Sequence, residues 1–139
     1  MKVPRGKSAG SGQRIIYSET RQHVWVLDRY GCTIRDYKVT GRADWPRPGS
    51  YKVFSKSRST SSAKYHVTFN YMVRFAHGRT TAIGFHDIPK RNGRPIQTVR
   101  SLGQPLGHGG CVRAATPNAK WLYGWAGIGT RVYVVRGRA

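Results

Sequence analysis

From Arg14 onward, apolar residues fall in short runs broken by glycine, proline and polar clusters, the pattern of a chain built from strands. Arg14-Ile15-Ile16-Tyr17-Ser18 and the run from Gln22 to Leu27 are β-branched and aromatic, which suits strands. Asp28-Arg29-Tyr30-Gly31 reads as a turn, and Cys32 to Thr40 as the returning strand of a hairpin. Gly41 to Gly49 holds Pro46 and Pro48 and is a loop, followed by a strand from Ser50 to Ser55. Tyr65 to Ala76 places Tyr65, Val67, Phe69, Tyr71, Val73 and Phe75 at alternate positions, predicting a strand with one apolar face. After a turn at His77-Gly78, Thr80 to Phe85 is a strand that delivers His86 at its end, and Arg131 to Val135 closes the domain as another.

Between these runs the chain changes character. Ser55 to Lys64 (SKSRSTSSAK) is polar and low in complexity, which predicts an exposed, mobile loop. Residues 87–110 form a long connection rich in glycine and proline, and long connections in compact domains are often functional. One short helix is predicted near the C-terminus: Thr116 caps it, Pro117 suits its first turn, Trp121, Leu122 and Trp125 share a face, and Gly127 ends it. Residues 1–13, nearly free of apolar side chains, read as a disordered basic arm or linker, leaving 14–139 as one domain. The fold class expected is mostly β.

Charge narrows the partners. Twenty-five Lys and Arg face five Asp and Glu, a formal net charge of +20. Such a surface attracts polyanions: nucleic acid, anionic membranes or an acidic cell wall. Charge alone does not choose among them. No apolar stretch is long enough to span a membrane, and the basic start lacks the apolar core of a secretory signal. No export signal is therefore visible in this chain.

The chemistry concentrates at Leu106-Gly107-His108-Gly109-Gly110-Cys111-Val112-Arg113. Glycines here let the backbone come close to a ligand with amides free, and a thiol near imidazoles is what nucleophilic catalysis requires. His86 and His108 are the candidate bases, and the amides of Gly110 and Cys111 a candidate oxyanion hole. The bland alternative is a small buried cysteine in a glycine turn. A zinc site from His86, His108 and Cys111 lacks the usual ligand spacings, and the glycines lack the Lys-Ser/Thr of a phosphate-binding loop. Tyr65, Phe69 and Tyr71 offer a stacking platform for single-stranded nucleic acid, although alternating aromatics of this kind more often form core.

Several ordered segments together resemble the L,D-transpeptidases of the YkuD type. They are the opening hairpin from Ile16 to Asp28, Val39-Thr40-Gly41 followed by Pro48-Gly49-Ser50-Tyr51-Lys52-Val53, Ile83-Gly84-Phe85-His86, Gly110-Cys111-Val112-Arg113, and Ala119-Lys120-Trp121-Leu122. The resemblance implies a β-sandwich with one short helix near the C-terminus. It implies that Cys111 is the nucleophile on a peptidoglycan stem tetrapeptide and His86 the general base and acid. A second stem's amine would resolve the thioester to a 3→3 cross-link, and water would give carboxypeptidase activity instead.

Asp87 is expected to orient His86, through its main chain by the family's habit. Its carboxylate would also raise the imidazole pKa and favour a thiolate–imidazolium pair. Either His108 stands where the family has serine or threonine, or Gly107 takes that serine's place with one extra glycine before Cys111; an auxiliary role is expected of His108. Arg113, Tyr71 and Met72 are expected substrate contacts. No cofactor or metal is implied. The partners expected are stem peptides and carbapenem inhibitors, not nucleic acid, in an extracytoplasmic, wall-associated setting. No companion wall-binding domain is evident, so anchoring is expected to fall to the basic surface. The rival reading is a basic polyanion-binding β module without catalysis.

Overall fold

A computed structural model of the chain describes residues 1–137. Among these described residues, eleven strands and one α-helix follow one another: β1 (Arg14–Ser18), β2 (His23–Leu27), β3 (Thr33–Lys38), β4 (Gly49–Lys52), β5 (Ser55–Ser62), β6 (Val67–His77), β7 (Ala82–Asp87), β8 (Lys90–Arg91), β9 (Arg94–Pro95), β10 (Val112–Ala114), α1 (Thr116–Trp125) and β11 (Arg131–Val135). They make two sheets. The first runs β3-β2-β1-β11-β4. The second is organised around the long β6, which pairs with β7 and β8 and, separately, with β5, while β10 lies outside β7. The protein is mostly β, as the patterning predicts.

The main core lies between the sheets. Ile15, Tyr17, Val24, Val26, Val132 and Val134 from the first meet Val73, Phe75, Phe85 and Val112 from the second, with Ala119 and Leu122 of α1. All five residues of β1 are buried, because a second cluster covers its other face: Ile16, Trp25, Leu27 and Val135 pack with Ala9. This corrects the reading of residues 1–13 as a disordered arm. A short 3₁₀ turn at Lys7–Ala9 lies against β11, Arg14 Nε donates to the Ala9 carbonyl at 2.6 Å, and Gly10 packs where any Cβ would overlap the Tyr133 ring. The segment is polar in composition, yet it is the cover that the outer face of the sheet needs.

The serine-rich stretch is also corrected. Ser55–Ser62 forms β5 and pairs antiparallel with β6, from Ser55↔Arg74 to Ser62↔Val67. As an outer strand half in solvent it needs few apolar side chains, and its ladder bonds come from β6; Arg58 on this edge discourages pairing with another chain. In β6 the alternation breaks at Tyr71, whose φ is 61°. Residues before and after it therefore change phase: Val73 and Phe75 join the core, while Phe69 turns to the His86 ring. The helix begins and ends close to expectation, but Thr116 does not cap it; its hydroxyl donates to Asp87 Oδ2 at 3.2 Å.

The sheets are tied near the first loop by Thr40 and Arg113, which exchange backbone bonds of 2.9 and 2.7 Å. Gly84, in the middle of β7, has no room for a side chain: a Cβ there would overlap the Val73 carbonyl and crowd the Arg74 Cα at 2.9 Å. The obstacles are backbone atoms of a paired strand, so they cannot swing aside. Gly84→Ala should cost about 1–3 kcal/mol, read as a lower urea midpoint at unchanged slope; a midpoint equal to the parent's would show that β6 and β7 are less closely packed than described.

Candidate active site

β10 pairs with β7 in parallel, Val112 opposite Phe85 and Arg113 opposite His86. One step back along the same register sets Cys111 beside Gly84. Val112 and Phe85 point into the core, so Cys111, Arg113 and His86 share the outer face of the sheet. The Cys111 thiol is half-buried and donates to the Ala82 carbonyl at 3.8 Å. Burial pushes its pKa up, opposed by the Gly84 backbone and by the positive charges of Arg113 and Arg74. The resting group is a thiol.

His86 is 3% exposed and lies under the Phe69 ring, 4.0 Å between centroids at 26°. Its Nδ1 meets the Asp87 carbonyl oxygen at 2.6 Å. A carbonyl only accepts, so Nδ1 carries the hydrogen and Nε2 is left with its lone pair. Burial drives the imidazole pKa down to about 4, the Asp87 carbonyl bond works against this, and Arg113 pushes the same way as burial. At neutral pH the ring is an uncharged base.

This overturns the expected effect of the Asp87 carboxylate. The carboxylate lies on the opposite face of β7, accepting from the Asn70 amide at 2.7 Å and from Thr116. It neither touches the ring nor raises its pKa; Asp87 reaches His86 through its main chain alone. The thiolate–imidazolium pair expected from that carboxylate gives way to a neutral thiol and a neutral imidazole.

The glycine run is tightly placed. Gly110 has φ 95°, and a Cβ on it would meet Trp45 Cδ1 at 2.7 Å and Ile83 Cδ1 at 3.0 Å. Gly107 donates its amide to the Gly41 carbonyl at 3.0 Å. Among the described residues the Gly110 and Cys111 amides donate to no protein acceptor, so both are available to a developing oxyanion. His108 is exposed, and its carbonyl accepts from Arg42 Nη1 at 3.4 Å; its ring makes no hydrogen bond among the described residues. No group of three His, Cys, Asp or Glu among the described residues is arranged to hold a metal.

Of the expected substrate contacts, Arg113 is half-buried and donates from Nη1 to Gln97 Oε1 at 2.9 Å. Tyr71 is half-buried with its ring edge-on to Tyr123 at 5.7 Å. Met72 is 3% exposed and has little surface to offer a ligand. Gln97 also lines a cleft of about 500 Å³ with Ile88, Lys90, Thr98 and Thr116, which borders the Asp87 end of β7. Cys32 is exposed and free in its hairpin, so the two cysteines are not bonded. Sequence reasoning missed the places of Phe69, Gly84 and Gln97; a glycine inside a β-branched run was the visible cue for one of them.

Comparison with known proteins places the chain in a family. A family model for the L,D-transpeptidase catalytic domain, YkuD, matches residues 12–134, so the chain belongs to that family. Among solved structures, an L,D-transpeptidase from Stackebrandtia nassauensis aligns with TM-score 0.70 and 28% identity, covering 93% of this chain and 58% of that one. An L,D-transpeptidase in complex with imipenem aligns with TM-score 0.72 and 20% identity over 91% of this chain and 60% of its own. L,D-transpeptidase 3 from Mycobacterium tuberculosis, carrying a faropenem-derived adduct, gives 0.66 and 21% over 90% and 60%. This chain thus spans about three-fifths of the structures it resembles. No curated protein matches it.

The lowered His86 pKa has a thermodynamic consequence. Between the unfolded value of 6.5 and about 4, the unfolded chain binds a proton that the folded one does not. Stability from His86 is therefore whole above pH 6.5 and falls as pH drops towards 4, by an amount on the order of 3 kcal/mol. Denaturation midpoints should fall more steeply over this range in the parent than in His86→Gln. Parallel pH curves would contradict a buried neutral imidazole.

Proposed function

We propose that this chain is a peptidoglycan L,D-transpeptidase with Cys111 as nucleophile and His86 as its base and acid. The observation that carries this is the Nδ1 bond of a buried neutral His86 to the Asp87 carbonyl, on the strand beside Cys111. It fixes the tautomer that leaves Nε2 unprotonated and able to act as a base. The Cys111 sulfur attacks the carbonyl of the third, diamino acid residue of a stem tetrapeptide, and its proton passes to His86. The amides of Gly110 and Cys111 receive the charge that develops on the carbonyl oxygen. As the C–N bond breaks, the imidazolium gives that proton to the departing D-Ala amine, leaving a thioester.

A side-chain amine of a second stem then attacks the thioester. His86 accepts its proton and returns it to the departing sulfur, and the product is a 3→3 cross-link. Water in place of the amine gives hydrolysis at the same site. A resting neutral pair suits this chemistry: the thiol meets no oxidant or electrophile as a thiolate, and charge separates only when a carbonyl is present to receive it. Peptidoglycan lies outside the membrane, so the site of action is extracytoplasmic; among the described residues no helix is long and apolar enough to cross a membrane. The net charge of +20 favours association with an anionic wall.

Related structures carry imipenem or a faropenem-derived adduct, so a carbapenem is the probe. Intact-mass analysis should find one adduct on the parent protein and none on Cys111→Ser, with His86→Ala slowed about 10²–10⁴-fold. A folded parent that gains no adduct, or a Cys111→Ser variant that still gains one (through Cys32), would overturn the assignment and leave the non-catalytic, polyanion-binding reading.

A further inference from the structure

Arg74 stands in line with the proposed nucleophile. On β6 it pairs with Gly84 of β7, and Gly84 lies beside Cys111 by the register of β10. On its other side Arg74 pairs with Ser55 of β5. One row across the sheet thus reads Ser55, Arg74, Gly84, Cys111. Val73 and Phe75 face the core, so the Arg74 side chain is on the outer face with Cys111. The residue between them carries no side chain and can accept none. No side chain at Gly84 therefore stands between the thiol and the guanidinium, whose backbones are roughly 10 Å apart by two strand spacings.

Arg74 is half-buried and held by two neutral groups: Nη1 donates to Ser57 Oγ at 2.7 Å and to Ser55 Oγ at 3.2 Å. Among the described residues no carboxylate balances it. The chain has five acidic side chains, and each is engaged elsewhere. Glu19 binds Arg136, Asp36 binds His23, Asp44 binds Arg42, Asp28 accepts amides of its own turn, and Asp87 faces the other side of β7. A partly buried arginine whose fork is oriented but has no counter-charge is built to meet a carboxylate from outside the protein, and its planar geometry suits that group.

Building on the proposed function, we infer that Arg74 is a specificity residue, which binds the terminal carboxylate of the donor stem's leaving residue while Cys111 attacks the carbonyl before it. Ser55 and Ser57 hold the guanidinium at the far end of this row. The row from Cys111 to Arg74 then measures the distance from the attacked carbonyl to the end of the chain. A donor whose terminus is amidated lacks the charge and loses the contact.

The test compares a stem tetrapeptide ending in a free D-Ala carboxylate with the same peptide ending in its amide, following acylation of Cys111 by intact mass. The parent should acylate with the acid about tenfold or more faster than with the amide, the factor a charge-assisted hydrogen bond supplies. Arg74→Gln should bring that ratio towards one, and Arg74→Lys, which keeps the charge and the fold but not the fork, should retain part of it. An unchanged ratio in Arg74→Gln, or an equal slowing of both donors, overturns the inference, the latter pointing to a purely electrostatic effect on the thiol. If neither peptide acylates the folded parent, the proposed function itself fails, which is a distinct result.

Discussion

The parallel pairing of β10 with β7 is the constraint on which the rest of the site depends. It sets Cys111 beside Gly84 and Arg113 beside His86 and, because side chains alternate, sends all of them to the face away from the core. A slip of one residue would bury Cys111 and expose Val112. The register is held from both sides: Phe85 and Val112 are locked in the inter-sheet core, and Arg113 is bridged to Thr40 on the chain from the first sheet. Gly84 lets β6 come close enough for the row to continue to Arg74.

Burial then decides the electrostatics. Phe69 and the surrounding strands exclude water from His86, so the ring is neutral, and its backbone bond to Asp87 chooses the tautomer. Arg113 acts in opposite senses on the two groups, and Arg74 acts on the thiol alone. Arg113 disfavours an imidazolium, and Arg113 and Arg74 both favour a thiolate. The thiol is thereby made more acidic than burial alone would leave it, without a charged base at rest. The proposed proton transfer from sulfur to Nε2 is assisted at the sulfur end and kept reversible at the nitrogen end.

Much of this was legible in the sequence, for physical reasons that also explain the misses. β1 and β11 are buried on both faces, or nearly so, and their β-branched runs have sharp polar or glycine boundaries; both strands fall where the pattern puts them. His86 and Cys111 were visible because each ends or begins a strand beside a glycine-rich connection. β5 was not, since its stability lies in a ladder with β6 that no pattern of serines encodes. The N-terminal segment covers the first sheet with one alanine and backbone bonds, too little apolar content to stand out. The Asp87 carboxylate misled because adjacency in sequence means opposite faces on a strand. Phe69 was hidden by the phase change at Tyr71, and Arg74 by the distance in sequence that separates it from Cys111.

The central claim is that Cys111 becomes an acyl carrier for a peptidoglycan stem. Its most direct test is rapid quench of the protein with a stem tetrapeptide, followed by digestion and peptide mass mapping. The account predicts the stem tripeptide acyl group on the peptide containing Cys111, with one free D-Ala released per acyl group formed, and neither in Cys111→Ser. A folded protein that releases no D-Ala and carries no acyl group on Cys111 would contradict it.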